Sequence, residues 1–232
     1  MAQAQACIKR SFPQVASRML GLCTGAGDVA VEAPYTVYYH TACKGFFGRA
    51  YPLILTLEQG KATYECKEPS EAPDGAGFIP APALVSPSGA CMAQLPAILL
   101  TVGEELRIVP KDLPNKAKHS QLIMDANDIF SELCAKKPAE RFEKWFAYLE
   151  KVLGAAGSGY LVGAKVTPAD FFLFWAMLWI HKRIADNDAG PFADPSKYGK
   201  LTVWMEKMHN EPTVKKVADM GVTVLPDMKV WA

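Results

Sequence analysis

The sequence has almost no net charge and no cluster of His residues that would indicate a metal site. Its 25 Lys and Arg residues are matched by 24 Asp and Glu residues, which leaves a formal charge of +1. So small a charge creates no long-range field that would attract nucleic acid. The four His residues are dispersed, so their spacing indicates neither a metal site nor a catalytic triad. We therefore expect no nucleic-acid partner and no bound metal.

Paired cysteines are also missing. The six Cys residues form no CxxC motif and have no His nearby at metal-ligand spacing. This scatter is typical of reduced thiols in a reducing compartment, which predicts a cytoplasmic protein. Cys43 is the exception to keep in view, because it follows the first predicted strand in a loop that could present a reactive group.

Long apolar runs are absent as well. Residues 1–34 contain none that could cross a bilayer, and the apolar run over 171–180 is too short to do so. We therefore expect no membrane span. The first acidic residue is Asp28, and the segment before it is basic and rich in Ala, Gln and Ser, a composition typical of organelle transit peptides. We interpret residues 1–34 as an N-terminal extension, with organelle targeting as the alternative.

What the chain does contain is enough apolar sequence for a large core. Half of its 232 residues are hydrophobic, which suits one large domain or two small ones. The aromatic and β-branched run over 35–40 predicts a strand buried on both faces. Alternation over 62–67 predicts a second strand. Between them, apolar residues at helical spacing predict a helix that ends near Gly60: Ala50, Leu53, Ile54 and Leu57.

A polar loop follows, and then a second pair of strands. The short apolar runs 83–85 and 90–92 flank Ser-Pro-Ser-Gly at 86–89, which predicts a hairpin. Pro96 stands where a helix would begin, because its missing N–H costs nothing at the first helical position. The predicted order is therefore β-α-β, loop, β-β-α.

The second half is helical in pattern. We expect a linker over 108–118, because two prolines flank a polar stretch there, and helices from 119 onward. Thr167, Pro168 and Asp170 predict a capped helix start, with Thr167 and Asp170 satisfying each other's backbone donors. The helix that follows is apolar on all sides, which indicates the buried centre of an α-helical domain.

Several segments together resemble the cytosolic glutathione S-transferase superfamily, in particular its Tyr-type and sigma-like classes. They are Gly48-Arg49-Ala50, Ala81-Pro82-Ala83-Leu84, the junction over 94–98, and Tyr160–Gly163 followed by Thr167–Asp170. The resemblance implies an α/β plus all-α fold, with an N-terminal thioredoxin-like domain over 35–107 and a C-terminal α-helical bundle over 119–232. It also implies a homodimer that uses glutathione as cosubstrate and takes a hydrophobic small molecule.

The resemblance also implies which group activates the glutathione thiol. Tyr39 matches the Tyr-type residue at the end of the first strand, and Tyr38 is the next candidate. Thr41 and Cys43 fall where the Ser-type and Cys-type classes place their active residue. The loop between Tyr39 and Gly48 is longer than in the Tyr-type classes, so all four candidates stay open.

Glutathione-binding roles are implied for six further residues. Arg49 would hold a carboxylate near the site, and the Ala81–Pro82 segment, with a cis bond, would pair its backbone with the cysteinyl part of glutathione. Gln94 and Leu95 would meet the γ-glutamyl carboxylate. Asp125 would reach the glutathione amine bound to the partner subunit, although an exposed helix carboxylate is the alternative interpretation.

One departure from the family pattern opens a second functional reading. Leu95 stands where the family has a serine that holds the γ-glutamyl carboxylate, and leucine offers no hydroxyl donor. Losing a charged hydrogen bond costs about 1.5 to 3 kcal/mol, so glutathione affinity would fall tenfold or more. We therefore expect either a glutathione transferase, which conjugates glutathione to an electrophile or isomerises a substrate, or a non-catalytic binding or structural protein of the same fold.

Overall fold

The computed structural model describes residues 34–40, 47–78, 81–185 and 197–220. All of them belong to one compact unit of the chain, residues 32–232. The predictions for the N-terminal extension, for Thr41 and for Cys43 lie outside the described residues.

Four strands form one mixed sheet in the order β2–β1–β3–β4. They are β1 (Tyr35–Tyr38), β2 (Tyr64–Lys67), β3 (Ala83–Val85) and β4 (Cys91–Ala93). β1 runs parallel to β2 and antiparallel to β3, and β3 runs antiparallel to β4. β1 therefore lies inside the sheet, as its large apolar residues predict. The hairpin between β3 and β4 is also confirmed, with Ser86 donating its N–H to the carbonyl of Ala90 at 2.9 Å.

The strand register defines one edge of the sheet that matters below. Tyr38 pairs with Ala83, and Ala83 pairs with Ala93. β1 and β4 end at this edge, whereas β3 begins there. We call it the Ala83 edge. Residues that directly follow β1, precede β3 or follow β4 are therefore neighbours, although they are far apart in sequence.

Seven α-helices occur among the described residues. They are α1 (Tyr51–Gln59), α2 (Leu95–Glu105), α3 (Leu113–Cys134), α4 (Ala139–Ala156), α5 (Pro168–Ala185), α6 (Gly199–His209) and α7 (Pro212–Asp219). A short 3₁₀ turn, Gly48–Ala50, leads into α1. The predicted apolar stripe of α1 is fully buried, which confirms the β-α-β unit.

The connection between the two halves is shorter than predicted. α3 begins at Leu113, so the helix occupies the last six residues of the predicted linker, 108–118. The Asp112 carboxylate accepts the backbone N–H of Asn115, and Pro114 occupies the first turn of the helix, where a missing N–H has no cost. The second proline that suggested a linker is therefore a helix-start residue. The domain boundaries 35–107 and 119–232 stay a prediction.

α5 is the buried centre of the helical half, as predicted. Every residue from Pro168 to Leu178 is buried, and the helix packs against α1, α2, α3 and α6. Contact with both α1 and α3 means that α5 joins the sheet-containing half to the helical half through one core. In the described part of the chain, no helix is both long enough and apolar enough to cross a membrane.

The start of α5 depends on the buried carboxylate of Asp170. One carboxylate oxygen accepts both the backbone N–H and the hydroxyl of Thr167, at 2.9 and 2.8 Å. The other accepts the N–H of Leu161 at 2.9 Å and the indole N–H of Trp204 at 3.1 Å. The predicted reciprocal cap is therefore only half right, because the Thr167 hydroxyl donates to Asp170 instead of accepting an N–H. Asp170 is structural, in agreement with the sequence interpretation.

A buried imidazole makes the fold sensitive to acid. His119, on α3, is 1% exposed, and its Nε2 has no hydrogen-bond partner among the described residues. Burial lowers the pKa of His119 from 6.5 to about 4, and the nearby charge of Glu104 only partly opposes this shift. Between those two pH values, the unfolded chain binds a proton that the folded chain excludes.

We expect the free energy of unfolding to fall as the pH falls from about 6.5 to about 4. The pKa difference corresponds to a loss of about 3 kcal/mol, because one pH unit is worth about 1.4 kcal/mol. Urea unfolding at a series of pH values measures it. His119→Leu should flatten this part of the profile, whereas His209→Leu, at an exposed position, should not. Equal slopes in wild type and His119→Leu would contradict the assignment.

Candidate functional site

Three of the residues predicted to act on glutathione meet at the Ala83 edge. Tyr39 directly follows β1, Pro82 directly precedes β3, and Gln94 directly follows β4. Because β1, β3 and β4 are adjacent in the sheet and strands lie about 4.8 Å apart, these residues fall within about 10 Å of one another along the edge. The strand register thus gathers residues that the sequence separates by up to 55 positions.

Tyr38 and Tyr39 point to different sides of the sheet. Tyr38 is 7% exposed and packs in a small cluster with Ala76 and Ala83. Tyr39 instead packs against the main core on the side of α1. Successive side chains of a strand face opposite ways, so only one of the two tyrosines can share the face occupied by α1. Tyr38 is the less suitable candidate for the thiol-activating group.

The Tyr39 hydroxyl lies at the beginning of the first helix. It accepts the backbone N–H of Arg49 at 3.0 Å, within the 3₁₀ turn that leads into α1. A hydroxyl that accepts an N–H keeps its own proton available for donation. Among the described residues, no acceptor takes that proton. The arrangement therefore provides a half-buried O–H donor at a helix N-terminus.

Arg49 is held by an aromatic ring of the helical half. Its guanidinium carbon lies 4.9 Å from the centre of the Phe130 ring on α3. Phe130 in turn packs against Trp175 of α5, with ring centres 4.4 Å apart. The cation–π contact holds the Arg49 side chain against α3 while leaving it exposed to solvent, and the Arg49 backbone N–H bonds to the Tyr39 hydroxyl. The predicted role of Arg49 as a carboxylate contact is compatible with this position.

The Ala81–Pro82 peptide bond is cis, as the resemblance implies. Pro82 is buried, and Ala81 is half-buried at the Ala83 edge. This position puts the Ala81 backbone beside the end of β1.

Gln94 adopts a backbone conformation that is rare for a residue with a side chain. Its φ is 71° and its ψ is 107° as it enters α2. Such conformations cost about 1 to 3 kcal/mol and are concentrated at functional sites. This conformation could not be predicted from the sequence, because no glycine marks the position.

Leu95 cannot contribute its side chain to a ligand at this edge. It is 2% exposed and packs in the main core. Only its backbone is therefore available to a ligand at the beginning of α2. The N–H groups of Leu95 and Ala97 lie in the first helical turn, where donors have no intrahelical partner, while Pro96 has no N–H to offer. The predicted glutathione contact of Leu95 is therefore restricted to its backbone.

Asp125 lies apart from these residues. Its carboxylate accepts the hydroxyl of Tyr148 on α4 at 2.9 Å, and burial raises its pKa. Five residues along α3 separate Asp125 from Phe130, a rotation of about 140° around the helix. Asp125 therefore does not face the Ala83 edge of its own chain. Its predicted contact with glutathione on a partner subunit stays a prediction.

Two residues near these predicted contacts have no signal in the sequence. Phe130 lies on α3, and the structure leaves it half-buried beneath Arg49. Tyr148 was given no role, although it holds Asp125. Neither residue is marked by a motif, since its position depends on helix packing. Among the described residues, no group of three His, Cys, Asp or Glu side chains could hold a metal ion.

Comparison with known proteins relates the helical half of the chain to one family. Residues 120–218 match the family described as glutathione S-transferase, C-terminal domain. A glutathione S-transferase of Antechinus stuartii is 25% identical over 146 residues, which span 57% of this chain and 63% of that protein. The helical half of the chain thus resembles the C-terminal domain of glutathione S-transferases. The matched region thus spans less than two thirds of that relative.

Solved structures share the fold of this chain across both halves. Prostaglandin synthase D of Nilaparvata lugens has a TM-score of 0.58 at 17% identity, over 81% of this chain and 98% of that one. A C. elegans glutathione transferase has a TM-score of 0.61 at 23% identity, over 80% of this chain and 96% of that one. They confirm the predicted thioredoxin-like half followed by an α-helical half.

Proposed function

We propose that the protein is a glutathione transferase, which binds glutathione at the Ala83 edge and activates its thiol with Tyr39. The Tyr39 hydroxyl carries the proposal, because it accepts the N–H of Arg49 and keeps its proton for a ligand. A free thiol with a pKa near 8.5 is only a few per cent ionised at neutral pH. Donation of a hydrogen bond to the sulfur would favour the thiolate.

Glutathione binding is supported by the backbone around Tyr39. Ala81, before the cis bond, would pair with the cysteinyl part of glutathione as a short added strand. Gln94 and the first N–H groups of α2 would receive the γ-glutamyl carboxylate, since a helix N-terminus favours an anion. Arg49 adds a positive charge near the same site.

The acceptor would be a hydrophobic electrophile, or a substrate that glutathione helps to isomerise. Phe130, beneath Arg49, gives the helical side of the site an aromatic surface. Such a surface suits an apolar acceptor. In this proposal the enzyme is cytoplasmic and homodimeric, with Asp125 reaching the glutathione bound to the partner subunit.

Calorimetric titration with glutathione tests the binding step, and the absorbance of a generic aromatic electrophile tests conjugation. We expect binding at millimolar or lower glutathione and conjugation above the uncatalysed rate. The tripeptide in which the γ-linkage is replaced by an ordinary α-linkage serves as the control and should bind more weakly. Failure to bind glutathione at millimolar concentration would exclude the enzyme.

A non-catalytic protein of the same fold is the second candidate. It is favoured by one observation, the burial of Leu95, which leaves the γ-glutamyl carboxylate without the hydroxyl donor of the family pattern. Glutathione binding without conjugation of several different electrophiles would support this candidate. Conjugation would reject it.

A further inference from the structure

His40 directly follows Tyr39 and has no role in the site described above. The chain bends at Tyr39, after β1 ends, and the His40 side chain is exposed. The two ring centres are 5.2 Å apart, and the rings meet edge to face at an angle of 62°. This spacing is typical of aromatic pairs in contact. The His40 imidazole therefore lies beside the ring whose hydroxyl would hold the glutathione sulfur, and it is open to solvent and to ligand.

The Tyr39 hydroxyl has only one proton to donate. It accepts the backbone N–H of Arg49, and in the proposed function its own proton goes to the glutathione sulfur. When a thiolate adds to the β-carbon of an α,β-unsaturated carbonyl, a C–S bond forms and the π electrons of the double bond move onto the α-carbon and the carbonyl oxygen. The resulting enolate must take up a proton. That proton has to come from a group other than Tyr39.

The cationic side chains near the Ala83 edge are poor proton donors. Lys67, which pairs with Tyr38 across the sheet, has its ammonium 2.7 Å from the Glu65 carboxylate. Hydrogen bonding to Glu65 raises the pKa of Lys67, so this ammonium holds its proton more firmly. Arg49 lies over the Phe130 ring, and a guanidinium does not lose its proton in proteins.

The acidic and neutral groups at this edge do not supply a proton either. Glu68 and Glu71 follow β2, and each carboxylate accepts the backbone N–H of the other residue. Gln94, after β4, carries an amide, which is not an acid. In the part of the Ala83 edge that the structure describes, His40 is thus the side chain that gains and loses a proton near neutral pH. Because it is exposed, it can regain a proton from water between turnovers.

We propose that His40 is a catalytic general acid, which protonates an α,β-unsaturated carbonyl acceptor as glutathione adds to it. This inference rests on the proposed glutathione transferase function and specifies its class of acceptor. The imidazolium gives its proton to the enolate, directly or through one water. The neutral imidazole then takes a proton from solvent, which balances the thiol proton released when glutathione ionises. Tyr39 serves the sulfur, and His40 serves the acceptor.

Two acceptors that differ in their need for a proton test the proposal. Glutathione adds to trans-hex-2-enal and must leave a proton on it, whereas it displaces chloride from chlorodinitrobenzene, and chloride leaves without one. His40→Phe keeps a ring against Tyr39 but removes the acid. We expect its kcat/KM for hex-2-enal to fall about 100-fold at pH 7, because a general acid contributes about 10² to 10⁴ in rate. Its kcat/KM for chlorodinitrobenzene should stay within about twofold of wild type.

The matched control is His209→Phe, at an exposed position on α6, which should leave both rates unchanged. The pH dependence gives a second readout that a packing role would not change. With hex-2-enal, the wild-type rate should fall between pH 7 and pH 9 as the imidazolium loses its proton. With chlorodinitrobenzene it should not fall, since the thiolate fraction rises over the same range. The fall should be absent in His40→Phe.

The outcomes separate this inference from the function on which it rests. An equal loss with both acceptors would show that His40 only packs against Tyr39, and it would overturn the inference while leaving the transferase intact. An unchanged rate with hex-2-enal would overturn it as well. If wild type conjugates neither acceptor and does not bind glutathione, the proposed function fails and the inference fails with it.

Discussion

Tyr39→Phe should lower kcat/KM for glutathione conjugation about 25-fold at pH 7. Lowering the pKa of the glutathione thiol by two units, from about 8.5 to about 6.5, requires about 2.7 kcal/mol of thiolate stabilisation. At pH 7 the thiolate fraction would then fall from about three quarters to about 3% when the hydroxyl is removed. The ring remains, so the affinity for glutathione should change little.

The pH dependence of this effect separates thiol activation from a structural role. The deficit should approach 100-fold below pH 6.5 and vanish above about pH 9, where the thiol ionises without help. Tyr38→Phe is the matched control, because that ring lies on the other side of the sheet, and it should keep wild-type activity. A deficit that is the same at every pH would show that Tyr39 acts through the fold and not on the thiol.

Asp170→Ala should lower the free energy of unfolding by about 4 kcal/mol. The substitution removes the acceptor for the two N–H groups of Leu161 and Thr167, the Thr167 hydroxyl and the Trp204 indole. A buried donor left without an acceptor costs about 1 to 3 kcal/mol. Since a protein of this kind is stable by only about 5 to 15 kcal/mol, the variant should be close to unfolding at 37 °C.

Urea unfolding at neutral pH measures the effect. Asp219→Ala, at an exposed position at the end of α7, should change stability by less than about 0.5 kcal/mol. Asp170→Asn keeps the shape and one acceptor oxygen, but its amide group would face donors, so we expect a loss nearly as large. A loss below about 1 kcal/mol for Asp170→Ala would show that the surrounding donors find other acceptors.

The elements of the fold could be predicted because they follow from local patterns. Alternation predicted β2, and helical spacing predicted α1. The boundary at Leu113 was missed because proline reads equally well as a linker residue and as the first turn of a helix. The strongest local signal, Thr167–Asp170, correctly predicted the start of α5. The direction of one hydrogen bond was wrong, because the Thr167 hydroxyl donates to Asp170.

The candidate site was less predictable, because its geometry comes from strand register and helix packing. Motif matching selected Tyr39, Pro82 and Gln94, and the register then placed them at one edge. The direction of the Leu95 side chain and the contact of Arg49 with Phe130 could not be read from the sequence. Each depends on how an element rotates when it packs against the core, and a single sequence does not encode that rotation in a local pattern.

The burial of α1 has a consequence for synthesis of the chain on the ribosome. Every residue from Tyr51 to Leu57 is buried, and α1 packs against α5 and α7, with Glu58 paired to Lys216 and Gln59 bonded to Thr213. Pro168, where α5 begins, follows Leu57 by 111 residues. At a synthesis rate of about 5 to 20 residues per second, the apolar face of α1 is exposed for roughly 5 to 25 s before α5 begins to be made. The N-terminal half therefore leaves the ribosome with the apolar face of α1 exposed. A chaperone that shields this face would raise the yield of native protein.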